Sequence, residues 1–355
     1  MFFWPTLVDA SPLTTVTSMP IDSALLHAQL ERWSVAHYHA GTTIAELRAM
    51  PGHAGLSFGF TVCDALGALD QIVMRMPPKG VRRSGNTDVL RQVPLLQALW
   101  SSGVPVAELR WWDADEQWFD VPYFMVGLLP GATYAVRDPD PIFTKAGVSP
   151  SDIFAQAIDG LALVHDVDWK VALGHWQQPI DLADEVRFWD PLLAKSTNTE
   201  WVTIGERTRD LLLAAVPENP AVGIFHGDFQ TNNLLFDNGR LVAILDWEIS
   251  GVGAQLLDLG WLLMMNDSDS WYDRAGLSVV PAHETLVARY AAATNRDVTL
   301  DDVAWYRALS GYRFGVISCF NVMLHRSGKR PDAEWDLIAP SIPFLFGRAA
   351  ELLGG

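Results

Sequence analysis

Residues 222–248 read VGIFHGDFQTNNLLFDNGRLVAILDWE, and the fold turns on how this stretch pairs with itself. Two apolar runs, 234–236 and 241–245, flank Asp237-Asn238-Gly239-Arg240. Asn-Gly between apolar runs is the strongest short hairpin signal, because both central residues of a type I′ turn need φ > 0. A hairpin returns the chain to where it began. His226, Asp228 and Asn233 before the first strand, and Asp246 after the second, therefore share one end. Asp228, Asn233 and Asp246 bring side-chain oxygens there, the donor set that a Mg²⁺-nucleotide site with a catalytic carboxylate requires.

The surrounding chain has room for such a site. At 355 residues it makes one large or two moderate domains, and 49% hydrophobic residues mark it as globular. A formal net charge of −17 disfavours nucleic-acid and anionic-membrane partners and suits cationic or neutral ones. Two cysteines, Cys63 and Cys319, are too few for a disulfide framework or a zinc cluster and fit a reducing, cytoplasmic setting. The first residues, MFFWPTLVDA, have neither a basic leader segment nor a small-residue cleavage site, so no signal peptide is expected. The uncharged run at 121–136 is too short for a bilayer and is interrupted by Pro122, Gly127, Pro130 and Gly131, so no membrane span is expected.

Working outward, residues 1–20 read as an irregular arm. Residues 22–38 read as an amphipathic helix capped by Asp22 or Ser23, with Leu25, Leu26, Leu30, Trp33 and Val35 as its apolar set. Strands are predicted at 44–50, 57–65 and 69–76, then a helix from Asn86 or Thr87 to Trp100, then strands at 107–112 and 123–129. Pro94 is best tolerated if that helix starts late. Three strands, a helix and two strands make a small antiparallel α+β lobe. Residues 132–150 are predicted as a loop. Helices follow at 151–167, 181–195, 200–216, 256–266, 282–294, 300–327 and 341–353, with the hairpin as the only strong strand pair among them. The expected organisation is an arm and helix (1–40), an N-lobe (41–129) and a helical C-lobe carrying the hairpin and the substrate site (130–355).

His226-Gly227-Asp228-Phe229-Gln230-Thr231-Asn232-Asn233 places an Asn five residues after an Asp, the spacing of the kinase catalytic loop. Asp246-Trp247-Glu248 stands where a second metal-binding Asp belongs. HGD-x4-N followed by ILDWE resembles the signature of the aminoglycoside phosphotransferase and choline kinase-like group, relatives of protein kinases. The resemblance implies a bilobal protein-kinase-like fold, with ATP (or GTP) bound between the lobes. It further implies Mg²⁺ on Asn233 and Asp246, and Asp228 as the base for a hydroxyl acceptor. It makes His226 a brace for the loop, Asp258 a tie between this region and the following helix, and His165 structural. Glu248 is left open between metal or substrate work and an ordinary salt bridge.

In the N-lobe, Gly55 and Ser57 of the turn at 52–59 resemble the family's phosphate-covering element. Arg75, ending Ile72-Val73-Met74-Arg75, falls where the family grips the α- and β-phosphates. The family's helix Glu partner for that residue is replaced by Gln92, so Asp88 or another carboxylate would have to substitute. Met125, Val126, Gly127 and Leu128 lie where the family's backbone meets adenine. The resemblance implies a small-molecule hydroxyl as acceptor. Elements at 288–297 and 305–314 look most like the branch associated with acyl-CoA dehydrogenases, which implies a hydroxyacyl-CoA. An aminoglycoside is the alternative, and a nucleotide-binding pseudokinase the second. Arg307, Arg313, Arg326, Lys329 and Arg330 are candidates for CoA phosphates, the acidic stretch 266–273 for a polycation; ordinary surface charge is favoured for both. A monomer or homodimer is expected.

Overall fold

The computed structural model describes residues 22–50, 56–274 and 277–355, and the chain divides into two compact units at Pro130/Gly131. The expected arm at 1–20 lies outside the described residues.

The first unit begins with α1 (Ser23–His37), whose cap is Asp22: its carboxylate accepts from the N–H of Ala24 and Leu25. The strands β1 (Thr43–Ala49), β2 (Leu56–Asp64) and β3 (Gly67–Met76) precede α2 (Gln92–Ser101), and β4 (Leu109–Asp113) and β5 (Tyr123–Gly127) follow it. They form one antiparallel sheet in the order β1-β2-β3-β5-β4. Two short 3-10 turns occupy 85–91, so α2 starts late and Pro94 sits in its first turn, where a missing N–H costs nothing. Leu26, Leu30 and Trp33 on one face of α1 pack on Phe58, Phe60, Ile72, Met74 and Met125. Inside that core the Trp33 indole N–H donates to the Tyr123 hydroxyl at 2.9 Å.

The second unit is mainly helical. The segment expected as a loop at 132–150 holds β6 (Ala132–Thr133) and α3 (Pro141–Lys145), which Asp140 caps. Then come α4 (Pro150–Asp166), with a Ser149/Asp152 capping box, and α5 (Trp169–Leu173). The single helix expected at 181–195 is two: α6 (Leu182–Arg187) and α7 (Asp190–Leu193). Pro191 lacks an N–H and its ring would strike the preceding turn, so the first helix cannot continue through it. The remaining elements are α8 (Thr199–Ala214), β7 (Val222–Phe225), β8 (Leu234–Asp237), β9 (Arg240–Ile244), β10 (Gly251–Ala254), α9 (Leu256–Met265), α10 (His283–Thr294), α11 (Leu300–Arg326), α12 (Glu334–Ile338) and α13 (Ile342–Leu352). Residues 305–322 of α11 are buried all round, so this helix is the axis of the unit's core.

The predicted hairpin is β8–β9. Asp237 opposes Arg240, leaving Asn238 (φ 46°) and Gly239 (φ 74°) as the two turn residues, both left-handed as a type I′ turn demands. It is not the unit's only strand pair. β6 adds to β8, and β7 pairs with β10, Phe225 opposite Gly251. No described helix is long and apolar enough to cross a membrane.

Candidate active site

The ribbon β7–β10 positions the loop His226-Gly227-Asp228, which leaves β7 directly after Phe225. Asp258, in the first turn of α9, holds it. One carboxylate oxygen accepts the N–H of Gly227 at 2.7 Å, and the other accepts that of His226 at 2.7 Å. The second oxygen also lies 3.3 Å from Nε2 of His165, whose Nδ1 is 2.7 Å from the Tyr290 hydroxyl. Asp258 and His165 have no exposed side-chain surface. A carboxylate at a helix N-terminus that collects two backbone N–H groups is a fixed clamp. Gly227 is required in the clamped loop. Its φ is 89°, and a Cβ would stand 2.9 Å from the Ile249 carbonyl oxygen.

His226 braces the loop from the other side. Its Nε2 lies 2.7 Å from the Leu245 carbonyl, and the Asp228 N–H lies 3.2 Å from Nδ1. With Nδ1 accepting, Nε2 carries the proton. Burial pushes the imidazole's pKa down, so the ring is neutral and ties the residue before Asp246 to Asp228.

Asp228 is only partly exposed and is richly hydrogen-bonded. Oδ1 accepts from Gln230 Nε2 at 2.6 Å and from Trp261 Nε1 at 2.8 Å. Oδ2 accepts from Asn233 Nδ2 at 2.9 Å, and that nitrogen also donates to the Asp228 carbonyl at 2.9 Å. Asn233 is itself fixed: its carbonyl accepts the Leu245 N–H at 2.7 Å. The next residue, Asp246, is left-handed at φ 65°, a conformation that costs a non-glycine residue about 1–3 kcal/mol. It opens a 3-10 turn, Trp247–Ile249, that Trp247 fastens through its indole N–H to the Ile244 carbonyl. Burial, and then the charge of Asp246, push the Asp228 carboxyl up to about 7, against the donors Asn233, Trp261 and Gln230. Asp228, Asn233 and Asp246 are thus brought together at the hairpin end.

Several participants were not singled out from the sequence. Gln230 lies inside the motif. Trp261 is three residues after Asp258 on α9, so it shares that helix's face, the one local signal that pointed to it. Arg313 on α11 had been grouped with surface charges, but it is 2% exposed. Its guanidinium lies 5.1 Å from the Trp261 ring and 5.5 Å from the Trp189 ring, with Nη2 3.4 Å from the Gly227 carbonyl. Glu185 on α6 is its ion-pair partner at 3.5 Å.

Several of the other charges also find partners. Arg307 is buried against Asp267 at 2.7 Å, Arg326 meets Asp336 at 2.9 Å, and Arg330 bonds to Asn321. In the acidic stretch, Asp267 also takes Arg348 at 3.0 Å, Asp269 pairs with Arg274 and Asp273 with Arg137. Arg307, Arg313 and Asp267 are buried, whereas Arg326, Lys329, Asp269 and Asp273 are exposed, the surface charge favoured from the sequence.

In the first unit, Ser57 on β2 stands directly opposite Arg75 on β3, and Arg75 opposite Phe124 on β5. Cross-strand partners share a face, so Ser57 and Arg75 lie together on the face away from α1. Gly55 and the rest of 51–55 lie outside the described residues. The Met125 side chain is on the α1 face, in the core. Val126 and Leu128 alternate to the other face. The N–H groups of Gly127 and Leu128 donate to the Glu108 and Gln71 carbonyls. Gln92 is buried in the first turn of α2, and the charge of Asp88 acts on Arg91.

A family model described as APH, phosphotransferase enzyme family, matches residues 64–309. The chain belongs to that family. Its α+β, protein-kinase-like architecture is the one expected from the sequence. Acyl-CoA dehydrogenase family member 11 of Gallus gallus is 24% identical over 259 residues, 69% of this chain and 33% of that protein. Family member 10 of Mus musculus is 26% identical over 198 residues, 54% of this chain and 18% of that protein. The chain therefore spans a third or less of the curated relatives it matches. Among solved structures, a Ralstonia eutropha JMP134 protein with a provisional aminoglycoside phosphotransferase assignment has a TM-score of 0.71 at 22% identity, covering 91% of this chain and 98% of that one. The GDP and kanamycin complex of APH(2″)-IIIa has a TM-score of 0.60 at 12% identity, covering 92% of this chain and 99% of that one. A choline/ethanolamine kinase family protein of Mesorhizobium loti has a TM-score of 0.56 at 17% identity, covering 92% and 94%.

Proposed function

We propose that this phosphotransferase moves the γ-phosphoryl group of ATP, with GTP as the alternative donor, to a hydroxyl of a small molecule, a hydroxyacyl-CoA being the leading acceptor. The observation that carries the reading is the hydrogen bond joining Asp228 to Asn233, with Asp246 fixed beside them through Leu245. Oδ1 of Asp228 already has two donors. Oδ2 has one and keeps a lone pair for the acceptor's proton.

The donor set fits Mg²⁺. Asn233 spends its amide nitrogen on Asp228, so its oxygen is the atom it has to offer a cation, and Asp246 adds a carboxylate. One amide oxygen and one carboxylate suit an ion which takes one or two protein oxygens and completes its shell with phosphate and water. When bound, Mg²⁺ supplies neutralisation of the phosphate charge. Arg75 and Ser57, on one face of their sheet, together with Gly55, are assigned to the phosphates, and the backbone of Met125–Leu128 to the nucleobase. The work left to the protein is positioning and charge stabilisation, because the transferred group passes through a loose transition state.

Support for a hydroxyacyl-CoA comes from the curated relatives, which carry the acyl-CoA dehydrogenase name. The second reading, an aminoglycoside acceptor, draws on the fold neighbour that binds kanamycin. A panel of 4-hydroxyacyl-CoAs, aminoglycosides, macrolides and amino alcohols, scored by acceptor-dependent ADP release, separates the two. An inert nucleotide-binding protein would release no ADP with any of them. Asp228→Ala is expected to abolish turnover and spare nucleotide binding. Asp246→Ala is expected to lose Mg²⁺-dependent nucleotide binding as well. Wild-type turnover by Asp228→Ala with a true acceptor would remove Asp228 from the role of base.

A further inference from the structure

An indole N–H is a single donor with one direction, so its aim is set by the plane of its ring. The Trp261 N–H is aimed at Oδ1 of Asp228 at 2.8 Å. The ring is 2% exposed, and the guanidinium of Arg313 lies over it at 5.1 Å. The guanidinium also lies at 5.5 Å from the Trp189 ring, in the corner where α6 gives way to α7. Glu185, one turn earlier on α6, receives the positive charge at 3.5 Å. The same guanidinium reaches the Gly227 carbonyl, the residue before Asp228. A planar cation between two indoles fixes both ring planes, which the point charge of a lysine does not.

We propose that Arg313 is a positioning residue for the phosphoryl-transfer step. Stacked on Trp261 and anchored by Glu185, it fixes the indole so that Trp261 and Gln230 saturate Oδ1 of Asp228 and leave Oδ2 as the oxygen that takes the proton. The proposal rests on the reading of Asp228 as the base. In that step the acceptor oxygen bonds to the γ-phosphorus, and the bond from phosphorus to the β,γ-bridging oxygen breaks with its electron pair. The hydroxyl proton passes to Oδ2. Water serves as acceptor in the basal reaction and gives inorganic phosphate and ADP.

The test has two arms. In protein labelled with ¹⁵N-tryptophan, the Trp261 indole resonance is identified by its loss in Trp261→Phe, or by its shift in Asp228→Asn should that variant not fold. Arg313→Lys, and separately Glu185→Gln, should shift this resonance and speed its exchange with water at least about tenfold. In the kinetic arm, with Mg-ATP and water as acceptor, Arg313→Lys should lower kcat roughly tenfold to a hundredfold, with KM for Mg-ATP unchanged within about twofold. An unshifted, still-protected indole in Arg313→Lys overturns the proposal, and so does a parallel change in kcat and KM. If the wild-type protein neither binds nor hydrolyses Mg-ATP, the phosphotransfer reading fails, while the indole arm still decides whether Arg313 aims Trp261 at Asp228.

Discussion

Asp258→Asn should loosen the loop that carries Asp228 without unfolding the chain. In the wild type each carboxylate oxygen takes one backbone N–H at 2.7 Å, from His226 and from Gly227. Hydrogen bonds to a charged group contribute about 1.5–3 kcal/mol each, and a buried donor left unmet costs about 1–3 kcal/mol. Asparagine keeps one acceptor and turns an NH₂ toward the other donor. It also removes the negative charge that faces the buried guanidinium of Arg313. The expected loss for local opening is about 2–4 kcal/mol. At 1.36 kcal/mol per factor of ten, the amides of 226–228 should exchange with solvent about 30- to 1,000-fold faster. Hydrogen exchange read by mass spectrometry on peptides spanning 222–233 measures this directly, with peptides from β2 and β3 as the internal reference. A change of less than threefold in the loop peptides, or an equal change in the reference strands, would refute the clamp.

Gly239→Ala should destabilise the second unit by about 1–2 kcal/mol, because an L-residue resists the left-handed turn and the new Cβ would stand 2.3 Å from a Val148 methyl; urea unfolding followed by tryptophan fluorescence reads it. Asp267 gives a pH signature. Burial raises its pKa, but the hydrogen bond from Arg348, the Asp269 N–H and the charge of Arg307 outweigh burial and hold the carboxyl below the usual range. A depressed folded-state pKa stabilises above the ordinary carboxylate value, and that stability is lost as pH falls toward the folded value. Wild-type melting temperature should therefore drop more steeply than that of Asp267→Asn between about pH 5 and pH 3; parallel curves would count against the ion pairs. His226→Ala should remove the link between Leu245 and Asp228 and cut turnover more than it weakens nucleotide binding, checked by comparing kcat with the Kd for Mg-ATP.

What could be read in advance was local. Asn238-Gly239 fixed the hairpin because only left-handed residues close a two-residue turn, and strands of four and five residues followed from it. The spacing of Asp228, Asn233 and Asp246 about that hairpin was legible for the same reason: a turn returns neighbours in sequence to neighbours in space. The ribbon β7–β10 was not legible. Its strands are four residues long, rich in glycine, and separated by the whole hairpin, so no short-range pattern marks their pairing. The break between α6 and α7 left a trace in Pro191, but apolar periodicity ran straight across it.

The sequence by itself determined which polar groups gather at the hairpin end, because motif spacing and turn geometry are properties of a few adjacent residues. Only the tertiary structure decided what surrounds Asp228. Trp261 stands 33 positions away along the chain, and Arg313 and Gly227 are separated by 86. They meet because α9 and α11 pack together in one core. An arginine on a buried helix looks, letter by letter, like one on a surface helix until the ring and the carboxylate that neutralise it are in place.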